Sequence, residues 1–207
     1  MPITASQVKE LRDRSGVGMM DCKKALQESN GDLEKAFDYL RKAGVAKAQK
    51  KEGRSTKEGL VVSYIHPGSK LGVLIELNCE TDFVAKTDDF LQLGRDVAMH
   101  IAATNPISVT PDDISDDVLK KEREIYLEQA KTSNKPDNII EKMVEGRVKK
   151  FYKENVLLEQ VFVKDPDKTV QDIITDTIAI LGENIVVSRF VRFQLGERTN
   201  NSSPSDN

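Results

Sequence analysis

Apolar residues recur along the chain first at helical spacing, then at every second position, then at helical spacing again, and these regimes divide it. Residues 4–44 predict three short helices. Thr4 to Ser6 offers N-cap oxygens ahead of Val8 and Leu11, and Ser15-Gly16-Val17-Gly18 supplies glycines that can end this first helix with positive φ. The second helix carries Cys22, Ala25 and Leu26 on one face and closes at Asn30-Gly31. Asp32 caps the third, where Leu33, Ala36, Phe37 and Leu40 fall at the i, i+3, i+4 and i+7 positions of one stripe before Gly44. So small a bundle encloses little interior and is marginal alone. It reads as a docking module over residues 1–44.

The stretch from Arg41 to Glu58 is rich in Lys and Arg, interrupted by Gly44 and Gly53, and nearly free of large apolar residues. It predicts a basic linker over 45–58. Without an aromatic residue for base stacking it reads as a solvated tether rather than an RNA-touching segment. From Gly59 the period becomes two. Val61, Ser63 and Ile65 alternate with Val62 and Tyr64, Pro67-Gly68-Ser69-Lys70 turns the chain, and Val73, Ile75, Leu77 and Cys79 share one face of a second strand. After Thr81-Asp82 the stripe Phe90, Leu93, Val97, Ile101 predicts a helix that stops at Asn105-Pro106. Two more helices follow, near Asp116 to Lys131 and from Pro136 to about Glu154, the latter with Pro136 in its first turn. Beyond Val161 to Val163 and an Asp165-Pro166 turn, Thr169 opens a helix that Gly182 ends, and Ile185 to Leu195 is a last strand able to join the hairpin. The expected fold is α+β: an N-terminal three-helix bundle, then a three-stranded antiparallel sheet packed with helices in a core domain over 59–197. The polar tail 198–207 is expected to be disordered.

Composition narrows the function. The 207 residues are 31% charged and 38% apolar, without a run approaching the ~18 to 20 apolar residues of a membrane span. Met1-Pro2-Ile3-Thr4 has neither a basic stretch nor an apolar one, so no secretory leader and no membrane partner are expected, and a cytoplasmic location is. Lys and Arg total 31 against 34 Asp and Glu, a net charge of −3, which favours a protein partner over direct nucleic-acid binding. Cys22 and Cys79, with only His66 and His100 beside them, lack the spacing of a zinc site and are expected to be reduced and buried. Spacings of hydrolase, protease or nucleotide-binding motifs are missing. Nothing beyond nearness in sequence gathers Asp82, Cys79 and His66 into a catalytic group. Asp88-Asp89 suits a helix start, and Asp112, Asp113, Asp116 and Asp117 lack the glycine and terminal glutamate of a calcium loop, so they read as caps and surface. Neither a metal nor a cofactor is expected, and no enzymatic bond-breaking.

Glu80-Thr81-Asp82-Phe83-Val84-Ala85-Lys86 lies where a strand ends and a helix begins, a junction held by rigid elements yet facing outward. Local pattern alone favours a plainer reading, with Thr81 or Asp82 as a cap and Phe83 as a core plug. The wider sequence reverses this. Leu11-Arg12, the run Ser15-Gly16-Val17-Gly18-Met19-Met20-Asp21-Cys22-Lys23-Lys24-Ala25-Leu26, Asn30-Gly31-Asp32 and Leu40-Arg41-Lys42 resemble the N-terminal domain of the elongation factor Ts family. Thr81-Asp82-Phe83-Val84-Ala85-Lys86 resembles its core motif, and Leu158-Glu159-Gln160, Phe162-Val163-Lys164-Asp165 and Arg189-Phe190-Val191-Arg192-Phe193 its C-terminal blocks. The resemblance covers roughly residues 1–197.

It implies a guanine-nucleotide exchange factor for elongation factor Tu, with a ubiquitin-associated-like N-terminal bundle. It makes Leu11, Met19 and Met20 expected exposed docking contacts. Thr81, Asp82, Phe83 and Val84 become the segment that disturbs the partner's magnesium site, with Phe83 pushed between the partner's helices. Compared with longer relatives, which resemble two such cores, this chain has one, so a homodimer is expected, built on apolar residues such as Ile140, Val148, Val187 or Phe190. A ubiquitin-associated-like binding or scaffold protein without exchange activity is the competing expectation.

Overall fold

The computed structural model of the protein describes residues 3–133 and 135–197. Helix α1 (Ala5–Ser15) opens on Thr4, whose hydroxyl accepts from the Gln7 amide while the Gln7 side chain accepts from the Thr4 amide, and closes on Gly16 in the left-handed region. Helix α2 (Met19–Glu28) buries Cys22, Ala25 and Leu26 against Val8 and Leu11 of α1. In α3 (Leu33–Gln49) the Asp32 carboxylate accepts from two first-turn amides, and Ala36 and Leu40 complete this small core.

Helix α3 does not stop at Gly44. It continues to Gln49, so the start of the expected linker is helical, and Gly44 and Ala48 are buried. Tertiary packing overrides the helix-breaking tendency of glycine here. A Cβ added at Gly44 would stand 3.0 Å from the Cβ of Ala179, so the missing side chain lets α3 lie directly on a later helix.

Strands β1 (Glu58–Ile65) and β2 (Leu71–Cys79) form the predicted hairpin. The short α4 (Asp82–Ala85) leads into α5 (Asp88–Thr104), which Asn105 ends in the left-handed region. Helices α6 (Asp116–Lys131) and α7 (Asp137–Asn155) form an antiparallel arm with its own small core of Ala130, Ile140, Val144 and Val148. Pro136 is the residue before α7 rather than part of its first turn. A small hairpin of β3 (Val161–Phe162) and β4 (Asp165–Thr169) follows. The Asp165-Pro166 pair, expected as a turn, lies in β4; the chain reverses at Val163-Lys164. Thr169 and Asp172 exchange capping bonds at the start of α8 (Val170–Leu181), Gly182 ends it, and β5 (Ile185–Gln194) completes the main sheet.

That sheet has the order β1-β2-β5 and is antiparallel throughout. Its inner face is built on Val73, Ile75, Leu77 and Cys79 of β2 and Ile185 and Val187 of β5. Phe90, Leu93, Val97 and Ile101 of α5 and Val170, Ile174 and Ile178 of α8 cover that face. Among the described residues no helix covers the outer face, and Val61, Ile65, Leu74, Val191 and Phe193 are exposed on it. The residues expected to be left over for a dimer are therefore the wrong ones. Ile140 and Val148 are buried between α6 and α7, Val187 is buried in the main core, and Phe190 is half-buried against it; a bulge at Ser188 lets Val187 and Phe190 both face inward while Val191 and Phe193 turn outward. The tail 198–207 lies outside the described residues.

Candidate functional site

The segment after β2 is locked residue by residue. The Cys79 thiol donates to the Thr81 carbonyl at 3.1 Å, and burial pushes that thiol's pKa up. Thr81 caps α4, its hydroxyl accepting from the Val84 amide, and the Thr87 hydroxyl donates back to the Val84 carbonyl at 2.8 Å before capping α5. On so short a helix the directions are fixed by 100° steps. Ala85 is buried and Val84 packs on the core, so Asp82 and Phe83 point the opposite way. Phe83 is 79% exposed, the most exposed large apolar side chain among the described residues. Its neighbour Asp82 accepts a 2.6 Å bond from Lys86 one turn later, which holds the Asp82 carboxyl below its usual range and the Lys86 ammonium above its own.

A second layer, contributed from the far end of the sequence, fixes the loop. The Glu183 carboxylate accepts from the Thr81 hydroxyl at 2.7 Å, from the Thr81 amide at 2.9 Å and from the Glu80 amide at 3.1 Å. In return the Glu80 carboxylate accepts from the Asn184 amide at 2.7 Å, with Arg54 beside it, and these partners hold the Glu80 carboxyl below its usual range. The buried Asn184 side chain donates to the Arg54 carbonyl, tying the end of the basic segment to the same point. Two loops are thus pinned by a reciprocal exchange of carboxylate and backbone amides.

The expected site residues divide. Thr81 is half-buried and spends its polar groups on capping and on Glu183, and Val84 packs inward, so both position the loop. Asp82 and Phe83 face outward. Met19 and Met20, at the exposed start of α2, are 53% and 76% exposed, consistent with an outward apolar contact. Leu11 is the correction: it is fully buried between the bundle helices, because the inward face of α1 is all the apolar surface that helix can give the core. The two outward points share a support. Gly16 sits against Ile180 of α8, a Cβ there falling 3.1 Å from the Ile180 Cδ1, and Glu183 follows one turn later.

Sequence reasoning overlooked Glu183 and Asn184. One signal was available, since an acidic residue just past a helix C-terminus opposes the helix dipole and so implies some other partner. Among the described residues, no cluster of three or more His, Cys, Asp or Glu could hold a metal ion, and no helix is long and apolar enough to cross a membrane. Both cysteines are free and buried. The Asp113 carboxylate is occupied in capping Thr110.

Comparison with known proteins places this loop in context. The family model described as Elongation factor TS matches residues 40–197. Elongation factor Ts of Syntrophobacter fumaroxidans is 58% identical over 95% of this chain and 98% of its own length. That of Fervidobacterium nodosum is 60% identical over 95% of this chain and the whole of its own, and that of a Thermoanaerobacter species 57% identical over 97% and 98%.

Proposed function

The chain belongs to the elongation factor Ts family, and from that premise we propose that it is a guanine-nucleotide exchange factor for elongation factor Tu in the cytoplasm. It speeds GDP release without making or breaking a covalent bond. The observation that carries this reading is Phe83, a large ring held almost wholly in solvent on a helix capped at both ends.

A P-loop GTPase holds its nucleotide through backbone amides, a lysine and a magnesium ion whose ligands sit on neighbouring segments. An aromatic ring inserted beside those segments displaces them, and the Asp82 charge places a carboxylate near the cation's shell. Raising GDP release about 10³-fold requires lowering its barrier by about 4 kcal/mol. Burying the Phe83 side chain contributes roughly 1.5–3 kcal/mol, so Asp82 and the Met19-Met20 corner supply the remainder. The coupling is reciprocal: a factor that weakens nucleotide binding is itself bound more weakly by the nucleotide-loaded partner. The test is release of fluorescent GDP from elongation factor Tu, which micromolar factor accelerates on this reading. An unchanged rate returns the protein to the class of binding or scaffold modules.

The functional form is a homodimer that covers the outer sheet face. Ile65, Leu74, Val191, Phe193 and Leu195 line one exposed hollow of about 380 Å³ at the hairpin end. An apolar patch of this kind on a monomer calls for a cover. Light scattering should report twice the 23.1 kDa chain mass; a value of one chain at micromolar concentration refutes the dimer.

A further inference from the structure

We propose that Glu183 is a positioning residue for nucleotide exchange, acting through Thr81 to hold the Phe83 ring at a fixed reach from the Met19-Met20 corner. The inference rests on the exchange reading above. Three donors converge on one carboxylate: the Thr81 hydroxyl and amide and the Glu80 amide. Bonds to an ionised acceptor are shorter and about twice as strong as neutral ones, and here they connect segments 102 residues apart in sequence. Thr81 caps the helix that begins with Asp82 and Phe83, so any movement of Thr81 swings the ring.

Glu183 is anchored in turn. It follows Gly182, whose left-handed φ of 76° ends α8, and its neighbour Asn184 is held by Glu80 and Arg54. One turn earlier on α8, Ile180 meets Gly16, which ends α1 and leads through Val17-Gly18 into Met19. Ala179 meets Gly44 of α3 at the same level. The last turn of α8 therefore touches the support of both outward contacts. Breaking the bond at Glu183 leaves the docking corner in place and frees only the ring, so the damage falls on the maximal exchange rate and not on docking.

The experiment uses the full chain carrying Glu183→Ala, Glu183→Gln or Phe83→Ala, with fluorescent GDP release from elongation factor Tu measured across factor concentrations. Glutamine keeps a side-chain oxygen for the two amides and donates to the Thr81 hydroxyl, so it preserves the geometry without the charge. Expected for Glu183→Ala is a fall of about tenfold or more in the maximal rate, in line with the cost of misplacing a reacting group by about 1 Å. Its half-saturating concentration stays within about threefold, a discrimination that a merely structural role does not produce. Amide hydrogen exchange at Glu80 and Thr81 accelerates in the same variant, and Glu183→Gln recovers most of the rate. A Glu183→Ala maximal rate within twofold of the parent, or loss of the fold in both Glu183 variants, overturns the assignment. If Phe83→Ala also leaves release untouched, the exchange reading itself fails, which separates the two conclusions.

Discussion

Replacing Phe83 by alanine tests the proposed wedge apart from its scaffold. The ring is 79% exposed, and Val84 and Ala85 make the local core contacts, so truncation removes almost no buried area from the free protein. Surface substitutions of this kind stay within about 0.5 kcal/mol, which for a chain of this size corresponds to a shift in Tm below about 2 °C. In the proposed complex the same truncation would remove roughly 1.5–3 kcal/mol of burial. At about 1.4 kcal/mol per tenfold, stimulated GDP release falls about ten- to a hundredfold. The assay is stopped-flow release of fluorescent GDP from elongation factor Tu with parent and variant at equal concentration, alongside thermal melts of each factor. A Tm drop of ten degrees would mean that the ring supports its own fold, and unchanged release would mean that it is not the wedge. Either result refutes the reasoning.

Two further outcomes follow from the core. His100 is fully buried, its Nε2 within 2.9 Å of the Gln160 Oε1 and its Nδ1 accepting from the Val163 amide, and burial depresses its pKa. The unfolded chain therefore takes up the proton first, and stability present above about pH 6.5, the ordinary imidazole value, declines as pH falls towards the depressed folded value; thermal melts between pH 7.5 and 5 should show this slope, and His100→Gln should flatten it. Gly59 in β1 has φ 144°, and a Cβ there would stand 2.7 Å from the Asn78 Cα and closer still to the Leu77 carbonyl oxygen. Gly59→Ala should lower Tm by more than about 5 °C, because neither backbone can yield; a Tm within 2 °C of the parent would contradict the packing described.

Most of the elements were legible in the sequence because their ends are written locally. Thr4, Asp32, Thr169, Asn105 and Gly182 cap or stop the helices they were read as capping or stopping. The alternation of β2 also gave its inward face. What could not be read depends on contacts between distant segments. Gly44 has the local appearance of a helix end, and only Ala179 lying on it explains why α3 continues. Leu11 inside α1 and Met20 at the start of α2 are both apolar, and the difference between buried and exposed is decided by where α2 and α3 pack. For Phe83 the local pattern pointed inward, and the family resemblance pointed outward.

On the proposed exchange reading, the clamp on Thr81 gives the stiffness of the loop a purpose. A ligand shifts an equilibrium only by its difference in affinity for the two states. A phenylalanine on a flexible segment could settle wherever the nucleotide-bound partner has room, bind both states alike and release nothing. Here α4 is four residues long, capped by Thr81 at one end and tied by Thr87 at the other, with Glu183 fixing the first cap from across the core. The backbone that carries the ring cannot retreat without breaking bonds to the Glu183 carboxylate. In the proposed mechanism a partner that docks at the Met19-Met20 corner meets the α4 loop at its set position, and the partner's phosphate and cation site is what gives way.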